Sequence, residues 1–206
     1  IRNVAFKPET DAIVQRFGSD LVAQFPNGKG AYQEAKKRAF CGVVFSGADR
    51  ASAENAYHTG IVNFDVDQND APTLRAFFAE IQAGKMPIVE AAARSVSGFA
   101  TGAMWVNVRV QMPSKFHHIP TDLQKSLGLT SATPWHEVVA KLHTSFGEAV
   151  KSLVSDQKGI VFGSFDLKRM RNLSHDAAIY TNPNATDLPL KALAVFVAER
   201  SKELAH

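Results

Sequence analysis

The stretch GIVNFDVDQND, residues 60–70, decides how the rest of the chain is read. Successive side chains on a β-strand point to opposite faces. Read as a strand, the stretch sends Phe64 and Val66 to one face and Asp65 and Asp67 to the other. Two carboxylates side by side push one pKa upward unless a cation sits between them. A hard divalent cation such as Mg²⁺ meets that need. A solvated turn at the strand end accommodates the pair as well, and the spacing alone leaves both readings open. A calcium-binding EF-hand loop is set aside. Asp65, Asp67 and Asn69 suit its first three ligand positions, but Asp70 stands where Gly is required and Ala76 where Glu is required.

Downstream, DAPTLRAFFAEIQAG reads as a helix. Asp70 is its N-cap, Pro72 lies in the first turn, and Gly84 is its stop. Leu74, Phe77, Phe78 and Ile81 form its apolar face. MPIVEAAARSVS and GAMWVNVRVQ read as two strands around a Gly-containing loop at 97–102. Residues 112–134 read as a long irregular connection. WHEVVAKLHTSFGEAVKSLV is a long amphipathic helix, GIVFGSFD and RMRNLSHD are strands, and Asp187 with Pro189 opens a C-terminal helix reaching about residue 204. Upstream, residues 9–25 and 31–38 read as helices separated by PNGKG. AFCGVVFSG, residues 39–47, reads as a buried strand, with Cys41 an inert core residue. Strands alternate with helices, which gives an α/β or α+β class. One domain is expected over 1–206, with no repeat or linker to divide it.

Composition narrows the function classes only a little. Of 206 residues, 45% are hydrophobic and 21% charged, a globular balance that builds a core without disulfides or structural metal. The single cysteine rules out a disulfide framework within the chain and a cysteine-rich zinc site. Its scarcity fits a reducing, cytoplasmic setting. No apolar run approaches the roughly 20 residues that span a bilayer, so no membrane partner is expected. No charged-then-apolar leader is visible, and the opening at Ile1 rather than Met reads as a fragment or a trimmed chain. Net charge is +3 and the pI about 9.0, which permits an anionic partner without requiring one.

The stretch KKRAFCGVVFSGADRASAENAYHTGIVNFDVD resembles the VirE N-terminal-domain family. The shared features are a basic pair (Lys36, Lys37), an apolar strand ending in Ser-Gly (Val43 to Gly47), then His58-Thr59-Gly60, then the strand with Asp65 and Asp67. RMRNLSHDAAIYTNPNA resembles the family's C-terminal signature through Arg169, Ser174, Asp176, Tyr180 and Asn182-Pro183-Asn184, with His175 where an aromatic is usual. The resemblance covers roughly residues 36–185. It implies an archaeo-eukaryotic primase or primase-polymerase. The implied fold is α+β: an RRM-like palm of mixed or antiparallel strands flanked by helices, over about 56–206. An N-terminal α/β module would occupy about 1–55.

By that resemblance, Asp65, Asp67 and Asp176 are the catalytic, metal-binding carboxylates. They would hold Mg²⁺ or Mn²⁺ for nucleotidyl transfer from nucleoside triphosphates on a single-stranded DNA template. Ser95, Ser97, Gly98 and Gly102 would form the nucleotide-binding loop, and Arg169 would contact phosphate or else hold Asp166 or Asp176 by an ion pair. The position expected to be Lys or His is Met104, so Arg94, Arg109, Lys168 or Arg171 would have to supply that charge. Helicase or accessory domains are the implied companions, often in mobile elements. The alternative is a degenerate primase-like domain that binds single-stranded nucleic acid without catalysis. A metal-dependent nuclease needs the same carboxylates but lacks a Glu-x-Lys companion. His58 alone reads as structural, and His117 and His118 as surface residues. Trp105, Phe99 and Tyr180 read either as base-stacking residues or as packing residues.

Overall fold

In a computed structural model of the protein, the described residues are 39–40, 43–45, 56–66, 69–94, 104–163, 165, 167, 171–172 and 179–203. The helices expected over 9–25 and 31–38 lie outside them, as does the loop at 97–102. Of the expected N-terminal module, only two short strands are described, β1 (Ala39–Phe40) and β2 (Val43–Phe45). Both fall within the strand read over 39–47, of which Cys41, Gly42, Ser46 and Gly47 lie outside the described residues. β2 pairs with β3 (Ala56–His58) in an antiparallel ribbon. Thr59 and Gly60 then lead into β4 (Ile61–Val66).

β4 is followed by α1 (Ala71–Gln82), β5 (Val89–Arg94) and β6 (Met104–Arg109). Next come a 3₁₀ turn (Phe116–His118), α2 (Thr121–Ser126) and α3 (Trp135–Lys158). The connection expected over 112–134 therefore carries two short helical segments. β7 (Arg171–Asn172) pairs with β1, and β8 (Tyr180–Thr181) precedes α4 (Leu190–Glu203). The main sheet has the order β4-β6-β5-β8, and every neighbouring pair is antiparallel. The chain is thus α+β.

Alternation along these strands gives the sheet two unlike faces. Val62, Phe64 and Val66 join Met104, Val106, Val108 and Ala92 on one face, all buried in the main core. Leu74, Phe77 and Ile81 of α1 pack onto that face, with Leu142, Phe146 and Val150 of α3 and Leu193 of α4. α1 forms where its sequence indicates. The Asp70 side chain accepts from the Thr73 backbone N–H at 2.8 Å, and Gly84 adopts φ +72° beyond the last turn. The Thr73 hydroxyl bond, followed by that backbone bond, holds the Asp70 carboxyl below its ordinary range.

The other face carries Asn63 and Asp65 on β4, opposite Asn107 and Trp105 on β6, with Ala91 and Ala93 on β5. Trp105 is buried against Ala91, Ala93 and Ile179, so its role is packing. No helix among the described residues is long and apolar enough to cross a membrane.

The strand expected over GIVFGSFD is absent among its described residues, yet Ile160–Gly163 runs beside the outer edge of β4. The Gly163 N–H donates to the Asp65 carbonyl at 2.7 Å. Two residues earlier, the Asn69 side-chain amide takes both Val161 backbone groups, its Nδ2–H donating to the carbonyl and its Oδ1 accepting from the N–H, each at 2.8 Å. A side chain thus supplies two bonds that a strand ladder would otherwise provide. The C-terminal helix also begins differently from its reading. Asp187 is engaged by Arg109 at 2.6 Å, and the first helical N–H, on Leu190, donates to the Gln111 side-chain oxygen at 3.1 Å.

Candidate functional site

Of the residues singled out for chemistry, Asp65 is the one the structure describes in detail. Asp67, Asp176, Ser95, Ser97, Gly98, Gly102 and Arg169 lie outside the described residues, as do Phe99, His175 and Lys168. Asp65 is half-buried on the sheet face away from the helices, while its neighbours Phe64 and Val66 are fully buried on the opposite face. That face is itself covered, since Asn63, Trp105, Asn107, Ala91 and Ala93 on it are buried, and Asp65 is its partly exposed member. One flank is bare of side chain. A Cβ added at Gly163 would meet the Asp65 Cβ at 3.2 Å and the Asp65 carbonyl oxygen at 3.3 Å. Gly163→Ala is accordingly expected to push this segment off β4 and to lower stability by about 1–2 kcal/mol, as overpacking does. Urea unfolding checks it; an unchanged midpoint would mean that the edge yields freely.

Met104 has a different meaning in the structure from the one its sequence position suggests. It is 1% exposed, opposite Val66 and within the helix-packed core. A Lys or His there would face away from Asp65. Among the proposed replacements, Arg109 is already paired with Asp187. Asn107 was not legible as a site residue. Its side chain is buried on the Asp65 face, and its Oδ1 finds no donor among the described residues, so this face retains an acceptor. Among the described residues, no three His, Cys, Asp or Glu side chains gather as a metal site.

The best-defined polar arrangement lies at the start of β4 and involves His143, which the sequence reading passed over. The Gly60 N–H donates to His58 Nδ1 at 2.8 Å. His58 Nε2 lies 2.8 Å from His143 Nδ1, and His143 Nε2 lies 2.7 Å from the Phe165 carbonyl. Gly60 is purely a donor and the Phe165 carbonyl purely an acceptor. One assignment satisfies these three contacts: both rings are neutral and carry the proton on Nε2. Gly60 can aim its N–H this way because it adopts φ +80°. His143 is 2% exposed.

Burial, and then the neighbouring His143, lower the His58 pKa from 6.5 to about 3. The folded protein refuses a proton that the unfolded chain takes up near pH 6.5. Stability is therefore complete above about pH 6.5 and is lost as pH falls toward 3. Between pH 7.5 and 5 the loss from this residue is about 2 kcal/mol. Urea unfolding at both pH values, with His58→Gln as reference, isolates it. Equal pH dependence in the two proteins would remove His58 as the cause.

Comparison with protein-family models, with curated proteins and with solved structures returns no match.

Proposed function

We propose that this chain is the catalytic domain of a primase or primase-polymerase of the VirE N-terminal-domain type. It transfers nucleotides from nucleoside triphosphates on a single-stranded DNA template. The observation that carries the reading is the setting of Asp65. It stands on the face opposite α1 and α3 of an antiparallel sheet whose order, β4-β6-β5, follows a strand–helix–strand–strand–helix succession. That succession is the one expected of an RRM-like palm, with Ile160–Gly163 running along β4 where a fourth strand would lie.

The donor chemistry fits a hard cation. Asp65 carries its carboxylate on the sheet face opposite Phe64 and Val66, and Asp67 follows two residues later in sequence. Asp65, Asp67 and Asp176 would hold Mg²⁺ or Mn²⁺. Once bound, such an ion lowers the pKa of an attacking hydroxyl and neutralises triphosphate charge. The backbone N–H groups and hydroxyls of the Ser95, Ser97, Gly98 and Gly102 loop would orient the phosphates, and Arg169 would grip one with two donors.

The test is synthesis on single-stranded DNA with labelled nucleotides, with and without primer, in Mn²⁺, Mg²⁺ or chelator. Product that requires the divalent ion supports the proposal. Strand binding with no product and no metal dependence supports a binding domain that has lost its chemistry. Strand degradation without nucleotides supports a nuclease.

A further inference from the structure

We propose that the His58–His143 pair is a brace that sets the position of strand β4, and through it of Asp65, so that both histidines act as positioning residues. The role of Asp65 rests on the nucleotidyl-transfer reading; the brace itself rests on geometry. Residues 160–163 and 165 are fastened beside β4 at alternate positions: Val161 by the Asn69 side chain, Gly163 by the Asp65 carbonyl, and Phe165 by His143. Through His58, the Phe165 anchor continues to Gly60, the residue just before β4. The contacts close a ring. It runs from Gly60 through the two imidazoles to Phe165, back to Gly163, across to Asp65, and along β4 to its start. The strand is held at both ends by one connected set of bonds.

Buried polar pairs are a poor source of stability, because apolar residues of similar volume commonly do as well. What this pair supplies is direction. Each imidazole presents one acceptor and one donor, and reversing either tautomer sets two donors or two acceptors against each other. The chain of bonds therefore forms in one register only, and that register fixes how far along β4 the neighbouring segment sits. A displacement of the order of 1 Å at a reacting centre costs up to about 10²-fold in rate.

The experiment compares the full chain with His143→Leu, which fills the volume without polar groups, and His143→Gln, which keeps one acceptor and one donor. The readouts are kcat and KM for nucleotide in the synthesis assay and hydrogen exchange at the Gly163 amide. His143→Leu is expected to fold, to lose about 10–100-fold in kcat with KM within about twofold, and to exchange the Gly163 amide at least about tenfold faster. His143→Gln is expected to regain protection and most of the rate. A folded His143→Leu protein with wild-type kcat, or with unchanged exchange at Gly163, overturns the brace. So does His143→Gln behaving like His143→Leu. If neither variant folds, imidazole ¹⁵N shifts of the wild-type protein decide: two Nε2–H rings support the brace, and any other pattern overturns it. A wild-type protein that makes no product, yet whose Gly163 exchange responds as expected, keeps the brace and removes the catalytic reading of Asp65.

Discussion

Replacing Asp65 with alanine is expected to abolish synthesis, with a fall in kcat of about 10³-fold or more and little change in melting temperature. The two halves of this expectation have separate causes. A carboxylate that helps hold a catalytic divalent ion underlies several kcal/mol of transition-state charge stabilisation, and each 1.36 kcal/mol is about tenfold in rate. The packing of the strand, in contrast, rests on the residues either side. Phe64 and Val66 carry the burial, and the Gly163 bond goes to the Asp65 backbone carbonyl, which any residue retains. Asp65→Asn is the sharper variant, since it keeps shape and removes charge. Product formation by Asp65→Asn at the wild-type rate would end the metal-site reading. A large drop in melting temperature would mean that the carboxylate is chiefly structural.

The second large effect concerns Gly147, in the middle of α3. Glycine inside a helix is normally a liability, and alanine there gains about 1 kcal/mol. At Gly147 the sign is expected to reverse. A Cβ would overlap the ring of Phe165, which lies directly against the helix backbone. The ring has little room to retreat, being packed against Phe64 with centroids 5.5 Å apart. Its own carbonyl is held by His143, one helical turn before Gly147. The steric cost is therefore expected to exceed the propensity gain, for a net loss of about 2 kcal/mol, or roughly 4–8 °C in melting temperature. A double-mutant cycle with Phe165→Leu checks the cause. If the loss persists at full size in the Phe165→Leu background, the overlap is not responsible.

Much of the central unit was legible because its signals are local. The alternation in GIVNFDVD gave a strand with Phe64 and Val66 inward, and Asp70, Pro72 and Gly84 bounded α1 closely. Both follow from side-chain period and backbone preference within a dozen residues. What escaped the sequence reading depends on partners far along the chain. His58 looked solitary, because its partner His143 is 85 positions away. Residues 160–163 have the composition of a strand, but the Asn69 amide takes the Val161 bonds that pairing would use. Asp187 has the chemistry of a helix cap and is claimed instead by Arg109, with Gln111 serving the helix. Met104 was placed by its motif position, and only strand register reveals that it faces the core. Of the site itself, the sequence indicated the acidic strand and gave no hint of Asn107 or His143.

The Asn69 clamp has a consequence for how the molecule meets others. An outer strand with free N–H and C=O groups is a template on which a second chain can add a strand. Along β4 that invitation is withdrawn at Asp65, whose carbonyl already accepts from the Gly163 N–H, and just beyond the strand Asn69 holds Val161 along the same edge. A second copy of this chain therefore cannot pair a strand of its own with β4 at Asp65 without first displacing the segment that Asn69 holds in place.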